Sequence, residues 1–331
     1  MKRFLSVVLA LTLALSFSAC GNSSSSGNSG TGKSTEKMKK VSILTPYLSS
    51  VTTSRMVKSL ETGLKAKNAD VTVVDTKGDF AQLASRIEDV VSSKTDAIVL
   101  VSADPTQIKT QLQTAFDAKI PVFGCDSGYI DGMMVNATSD NTAMGEQMAK
   151  YLFEDLMGKK GTVIALTYRP HPGIIKRCTA FDKLIKNYPD IKLITDQQVG
   201  VPGPIENSRK IMENLILSNS KKDSITAVWA AWDEPAIGAT QALQAAGRGE
   251  VIVTGVDGNS QAIDLIKKGT NLKATEAQNF DGMAKIVVDD IGKMFAGEKI
   301  QTGEKYAPAT LVTTKNAADF ASTSSEPSSS K

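Results

Sequence analysis

The sequence predicts an α/β protein made of two doubly wound parallel sheets, and three observations carry that prediction. Short runs rich in β-branched residues alternate with longer stretches whose apolar residues recur three and four apart. That repetition implies strand–helix–strand crossovers, which are right-handed and build parallel sheets. The rhythm breaks once, in MMVNATSDN at 133–141, and then restarts. Each side of the break is about 130 residues, near the usual size of a domain.

From Val41 the strands before the break are VSILTP (41–46), VTVVDT (71–76), AIVLVS (97–102) and PVFGCD (121–126). After it come TVIALT (162–167), KLITDQQV (192–199), AVWAAW (227–232), VIVTGVD (251–257) and KATEAQ (273–278). Between them SRMVKSLETGLKAK (54–67), FAQLASRIEDVVSS (80–93), PTQIKTQLQTAFDA (105–118), TAMGEQMAKYLFEDLM (142–157) and ENSRKIMENLILS (206–218) read as helices with one buried face.

The first residues read as an export signal. Lys2 and Arg3 precede an apolar stretch, Phe4–Phe17, of about 14 residues, short for a membrane span and suited to a secretory core. The run ends in SFSAC, which resembles a bacterial lipobox, so residues 1–19 are expected to be removed and Cys20 lipidated. Phe17 departs from the leucine commoner there, and simple secretion with cleavage near Ala19 stays as the alternative. Residues 20–39 form a Ser/Gly/Asn-rich tract with no apolar period, a flexible tether spanning roughly 25 Å. The polar tail, 321–331, reads the same way.

The 38 basic and 35 acidic residues leave a formal charge of +3, and removing Lys2 and Arg3 would leave +1, no footprint for nucleic acid. Only Cys125 and Cys178 follow Cys20; two buried free thiols are expected, with a single bridge as the alternative.

Catalytic signatures are few: GxGxxG, GxSxG and HExxH do not occur. The single histidine, His171, lies in TYRPHPG and reads as a loop residue, with a contact at a cleft the other possibility. A carboxylate does recur at strand ends: Asp104, Asp126, Asp233 and Asp257. Open α/β sheets present ligands at that edge. Asp104 before Pro105 and Asp233 before Pro235 read as helix caps. Asp126 before Ser127-Gly128, and Asp257 in GVDGN, read as ligand-facing.

At AIVLVSADPTQI, AKIPVFGCDSG, IKRCTAF, WAAWDEPAIGATQALQAAG, VIVTGVDGN and ATEAQN, the chain resembles the type I solute-binding proteins of ABC importers, in the ribose-binding-like group and in lipoprotein form. The resemblance runs from Val41 to about Lys315. It implies two lobes joined by a three-strand hinge: residues 40–139 with 279–306, and 140–278 with 307–320. The chain would cross near Ser139 and Asp140, after Gln278, and near Lys305 to Ala307. It implies a non-enzymatic monomer without cofactor or metal, partnered by a carbohydrate-like solute and a permease, and held outside the membrane by the lipid on Cys20. Carried over residue by residue, Asp126, Arg177 and Asp257 bind hydroxyls and Gln278 is the hinge glutamine. Carboxylates accepting from paired hydroxyls beside a donating guanidinium suit that role chemically.

Three departures bear on the ligand. Trp232 stands where relatives often have asparagine, and is expected to wall the cleft, with Trp229 in the core and Asp233 and Glu234 opening a helix. The loop TPYLSSVTTSRM is longer than usual and keeps only Tyr47 as an aromatic. TYRPHPGIIKR brings Tyr168 and Arg169 towards Arg177, an extra arginine that would permit an anionic ligand. Ser102 and Asp104 join these as weaker candidates. The ligand is thus expected to be a monosaccharide, polyol or derivative. The same lobes would also serve a receptor subunit for a sensor kinase or quorum-type signal. A LacI-type repressor would need a helix-turn-helix in place of the leader, and an enzyme would need a base and nucleophile pair.

Overall fold

The computed structural model describes residues 38–320. The signal segment, Cys20, most of the tether and the tail lie outside the described residues. The tether as read is one residue too long, because Lys39 already pairs with Ala69 in the first strand.

The first half begins β1 (Lys39–Thr45), α1 (Val51–Ala66), β2 (Ala69–Asp75), α2 (Phe80–Ser92), β3 (Ala97–Val101), α3 (Lys109–Asp117), β4 (Val122–Cys125) and β5 (Val135–Thr138). The second runs α4 (Asn141–Lys150), β6 (Gly161–Thr167), α5 (Pro172–Leu184), β7 (Ile191–Gln198), α6 (Pro204–Ser218), β8 (Ala227–Ala230), α7 (Asp233–Ala245), β9 (Ile252–Asp257), α8 (Ser260–Lys267) and β10 (Leu272–Ala277). Then α9 (Phe280–Phe295) packs back on α1, β11 (Gly303–Tyr306) joins the first sheet, and β12 (Thr310–Thr313) joins the second. The chain therefore passes between the sheets three times.

Among the described residues each sheet has six strands, ordered β11-β5-β4-β3-β1-β2 and β12-β10-β9-β8-β6-β7. All neighbours are parallel except β12, which runs antiparallel to β10. The α/β prediction holds, and all nine strands read from the sequence are present. Three more were not read. β5 lies inside the stretch taken as a break in rhythm, and β11 and β12 are four-residue strands past the last one read.

Period decides the helices. In α1 the buried residues are Thr53, Met56, Val57, Leu60 and Leu64, three and four apart, facing the sheet. Central strands such as β3 are buried along their whole length, as a sheet covered on both faces requires. Helices pair over those faces, α1 with α9 and α2 with α3 on one sheet, α4 with α5 and α6 with α7 on the other. Gly145 on α4 lets α5 approach closely: a Cβ there would lie 2.6 Å from the Arg177 Cα. That contact sets where Arg177 stands.

Candidate ligand-binding cleft

In each sheet the strand order reverses beside its first strand, between β1 and β3 and between β6 and β8. Crevices for ligands open at the carboxyl ends of strands at such reversals. One pocket, with about 480 Å³ of free space counting its mouth, is lined from both halves. The first half supplies Tyr47 after β1, Ser102 after β3 and Asp126 after β4. The second supplies Tyr168 after β6, Trp232 after β8, Asp257 at the end of β9, and Arg177 from α5.

Three of these residues leave their strands with positive φ: Ser102 at 55°, Asp126 at 50° and Asp257 at 138°. Side chains seldom adopt that region, and such conformations gather at ligand sites because surrounding contacts hold them there. The Asp126 N–H still donates to the Ala137 carbonyl at 2.7 Å, so the strand ladder runs into the turn and holds it.

Arg177 is 1% exposed, with its Nε and Nη1 engaged by the protein. Its Nε donates to Asn141 Oδ1 at 2.7 Å, and its Nη1 to the Ala231 carbonyl at 2.9 Å and Asp257 Oδ1 at 3.4 Å. Gln278 Nε2 donates to the same Asp257 oxygen at 2.8 Å. Asp126 accepts from Thr138 Oγ1 at 3.3 Å. Burial lifts the Asp126 carboxyl to about 7 against the pull of Arg177. Asp257 is likewise raised by burial, with Arg177 and Gln278 opposing.

The aromatic side is a chain of rings. Tyr47 lies edge-on to Tyr168 at 6.2 Å, and Tyr168 is tilted against Trp232 at the same separation. The Tyr47 and Tyr168 hydroxyls meet at 3.3 Å across the cleft. Trp232 donates from Nε1 to Glu234 Oε2 at 3.3 Å.

A family model for the periplasmic binding protein domain matches residues 41–299. The chain belongs to that family. Its members are binding proteins, not enzymes. The chain is 27% identical over 307 residues to the ribose import binding protein RbsB of Bacillus subtilis, spanning 91% of this chain and 96% of that one. It is 26% identical over 320 residues to a xylitol-binding protein of Mycolicibacterium smegmatis, spanning 95% and 86%. A solved solute-binding protein from Agrobacterium vitis with bound allitol superposes with a TM-score of 0.80 at 27% identity, over 86% of this chain and 98% of that one. The two parallel-dominated sheets and flanking helices are those of the type I binding proteins.

Of the residues singled out in the sequence, Tyr47, Ser102, Asp126, Tyr168, Arg177, Trp232 and Asp257 line this one pocket of the binding-protein fold. Gln278 lies outside it, lines a neighbouring crevice and reaches the site through Asp257. Asp104 is a cap, accepting from the Thr106 N–H at 3.0 Å, and does not line the pocket. Arg169 turns away to Asp182 and Asp196, at 3.0 and 2.6 Å, so the extra arginine gives an anion no partner.

Two other readings are corrected. Asp233 does not cap α7. Its carboxylate accepts from the Asn259 N–H and from Thr275 Oγ1, both at 2.7 Å, and so ties α7 to the loop after β9. His171 is more than a loop residue: its Nδ1 caps α5, accepting from the Gly173 and Ile174 N–H groups, and its ring lines the pocket. Burial and the Arg177 charge hold His171 down at about 3, so it is neutral with its proton on Nε2. The cue was present, since a polar residue before proline is a common helix start. Glu234 opens α7 as read, yet its side chain also faces the pocket. Cys125 and Cys178 are both free and buried, and burial pushes the Cys178 thiol up to about 12.

Proposed function

We propose that the protein is an extracytoplasmic solute-binding lipoprotein that captures a neutral monosaccharide or polyol between two lobes and delivers it to an ABC importer permease. The observation that carries this reading is the convergence of Asp126, Arg177 and Asp257 on one pocket whose other wall is Tyr47, Tyr168 and Trp232. Carboxylates accept from hydroxyl pairs, a guanidinium donates to hydroxyl oxygens, and ring faces meet sugar C–H groups. Relatives named for ribose and xylitol support the same class. Three carboxylates against one arginine already engaged with Asp257 disfavour an anion.

Family membership implies a location outside the cytoplasm. The signal segment and Cys20 support a lipid anchor there. The lobes proposed are residues 40–139 with 279–306 and residues 140–278 with 307–320, hinged where the chain passes between the sheets.

The test is a thermal-shift screen against ribose, xylitol and allitol, with gluconate as the anionic comparison. A ligand at a hundred times its dissociation constant stabilises the native state by about 2.7 kcal/mol. A rise of several degrees with a neutral compound, and none with gluconate, is expected. No shift across a broad sugar and polyol panel overturns the carbohydrate reading. Cys20→Ala should release the chain from the membrane fraction.

A further inference from the structure

The start of α1 lacks what other helices of the molecule supply for themselves. Its N-cap, Ser50, accepts from no N–H of its own helix, its Oγ meeting there only the Thr52 hydroxyl at 3.2 Å, and its first turn holds no acid. By contrast α2, α4, α5, α8 and α9 are capped by Asp79, Asp140, His171, Asn259 and Asn279. A helix start without such a group leaves N–H donors unsatisfied and a partial positive charge uncompensated.

The missing acceptor comes from the opposite half. Glu234, in the first turn of α7, receives a hydrogen bond from Ser50 Oγ to its Oε2 at 3.2 Å; the Val51 N–H, the first of α1, favours its charged form against burial. Trp232 Nε1 donates to the same oxygen from Glu234's own half. We propose that Glu234 latches the cleft by capping α1 across it, so that α1 gains its acceptor only when the two halves meet. The Tyr47–Tyr168 hydroxyl contact and the bond from Gln107 Nε2 to the Pro170 carbonyl at 3.4 Å accompany it. Trp232 is both a wall of the pocket and the donor that aims Glu234. A solute pressed on that ring therefore bears on the residue that holds the halves together.

Glu234 is a positioning residue, and the proposal rests on hinged closure but not on which solute is bound. The test places spin labels on the two halves of the chain carrying Cys20→Ser, at Lys109→Cys and Lys210→Cys, both exposed, while Cys125 and Cys178 are buried. Distances are recorded without added sugar. Removing a cap of ordinary strength, Glu234→Ala should raise the ratio of long to short distances about five- to tenfold, with Glu234→Gln intermediate. Adding Ser50→Asp to Glu234→Ala gives α1 a cap of its own; it should recover thermal stability without recovering the short distance. An unchanged distance distribution in Glu234→Ala overturns the latch. So does recovery of both properties by Ser50→Asp, which would leave Glu234 a merely structural role. Failure of every sugar in the screen would leave this distance measurement untouched, so the two readings fall separately.

Discussion

The two halves share a topology and contribute differently to the cleft. The second half brings the denser network: Arg177 joins Asn141, Ala231 and Asp257, Gln278 joins Asp257, and Asp233 joins Asn259 and Thr275. The first half brings Asp126 with one side-chain donor, Thr138, and Ser102 with Thr53 at 3.2 Å. A dense polar network rigidifies, and a sparse one leaves acceptors available for a ligand. The second half is thus the prebuilt electrostatic floor, and the first half is the lid with a free carboxylate.

That contrast breaks most sharply at the charged residues. Arg177→Ala strands Asp257 and Asp126 in a dry site and should cost about 3–5 kcal/mol of stability, the usual penalty for breaking a buried pair. Asp126→Ala removes a charge that burial already disfavours, so urea denaturation should show a much smaller loss, or a gain. Its effect should appear instead in affinity for a sugar from the screen, about ten- to a hundredfold by calorimetry. Equal stability losses in the two variants would erase the distinction between floor and lid.

The two tryptophans sharpen it on a smaller scale. Trp229 is fully buried and stacks on Phe181 at a centroid separation of 4.5 Å, whereas Trp232 has one face on the pocket. Trp229→Ala should lose about 3–5 kcal/mol of stability. Trp232→Ala should lose less stability and more affinity, a crossover that denaturation and calorimetry together can check.

The smallest expected effect is that of pH. Burial lifts Asp126 and Glu234 to about 7, from 3.8 and 4.5, in the arrangement where the halves meet. Groups with a raised pKa bind protons more tightly in that arrangement, so their contribution is full only below their ordinary values of 3.8 and 4.5 and is lost as pH rises through 7. The charged neighbours are Arg177 and Asp257, with His171 neutral and the Tyr47 hydroxyl raised by burial. The midpoint of thermal unfolding without added sugar should fall by about 2–4 °C from pH 5.5 to pH 8 for each kcal/mol involved. The fall should shrink in Asp126→Asn combined with Glu234→Gln.

Much of this was legible in the residues. Nine strands announced themselves through β-branched runs, and the long helices through a period near 3.6. Asp126 and Asp257 stood out because each followed a strand with no cap to explain it. β5, β11 and β12 were not legible, because VNAT, GEKY and TLVT become strands only when a neighbour's ladder takes their hydrogen bonds. Arg169 and Arg177 look alike in sequence, eight positions apart. The close approach of α4 and α5 at Gly145 buries one in the cleft, while Asp182 and Asp196 draw the other aside.

Local chemistry along the chain therefore determined the elements, their order and the carboxylates at strand ends, because propensity and period act between near neighbours. Tertiary structure alone decided what those residues do. Asp233 is a tie rather than a cap, His171 a neutral cap on the pocket wall, and Glu234 an acceptor reaching across it, because each finds partners dozens of residues or more away or in a desolvated setting that no local pattern encodes.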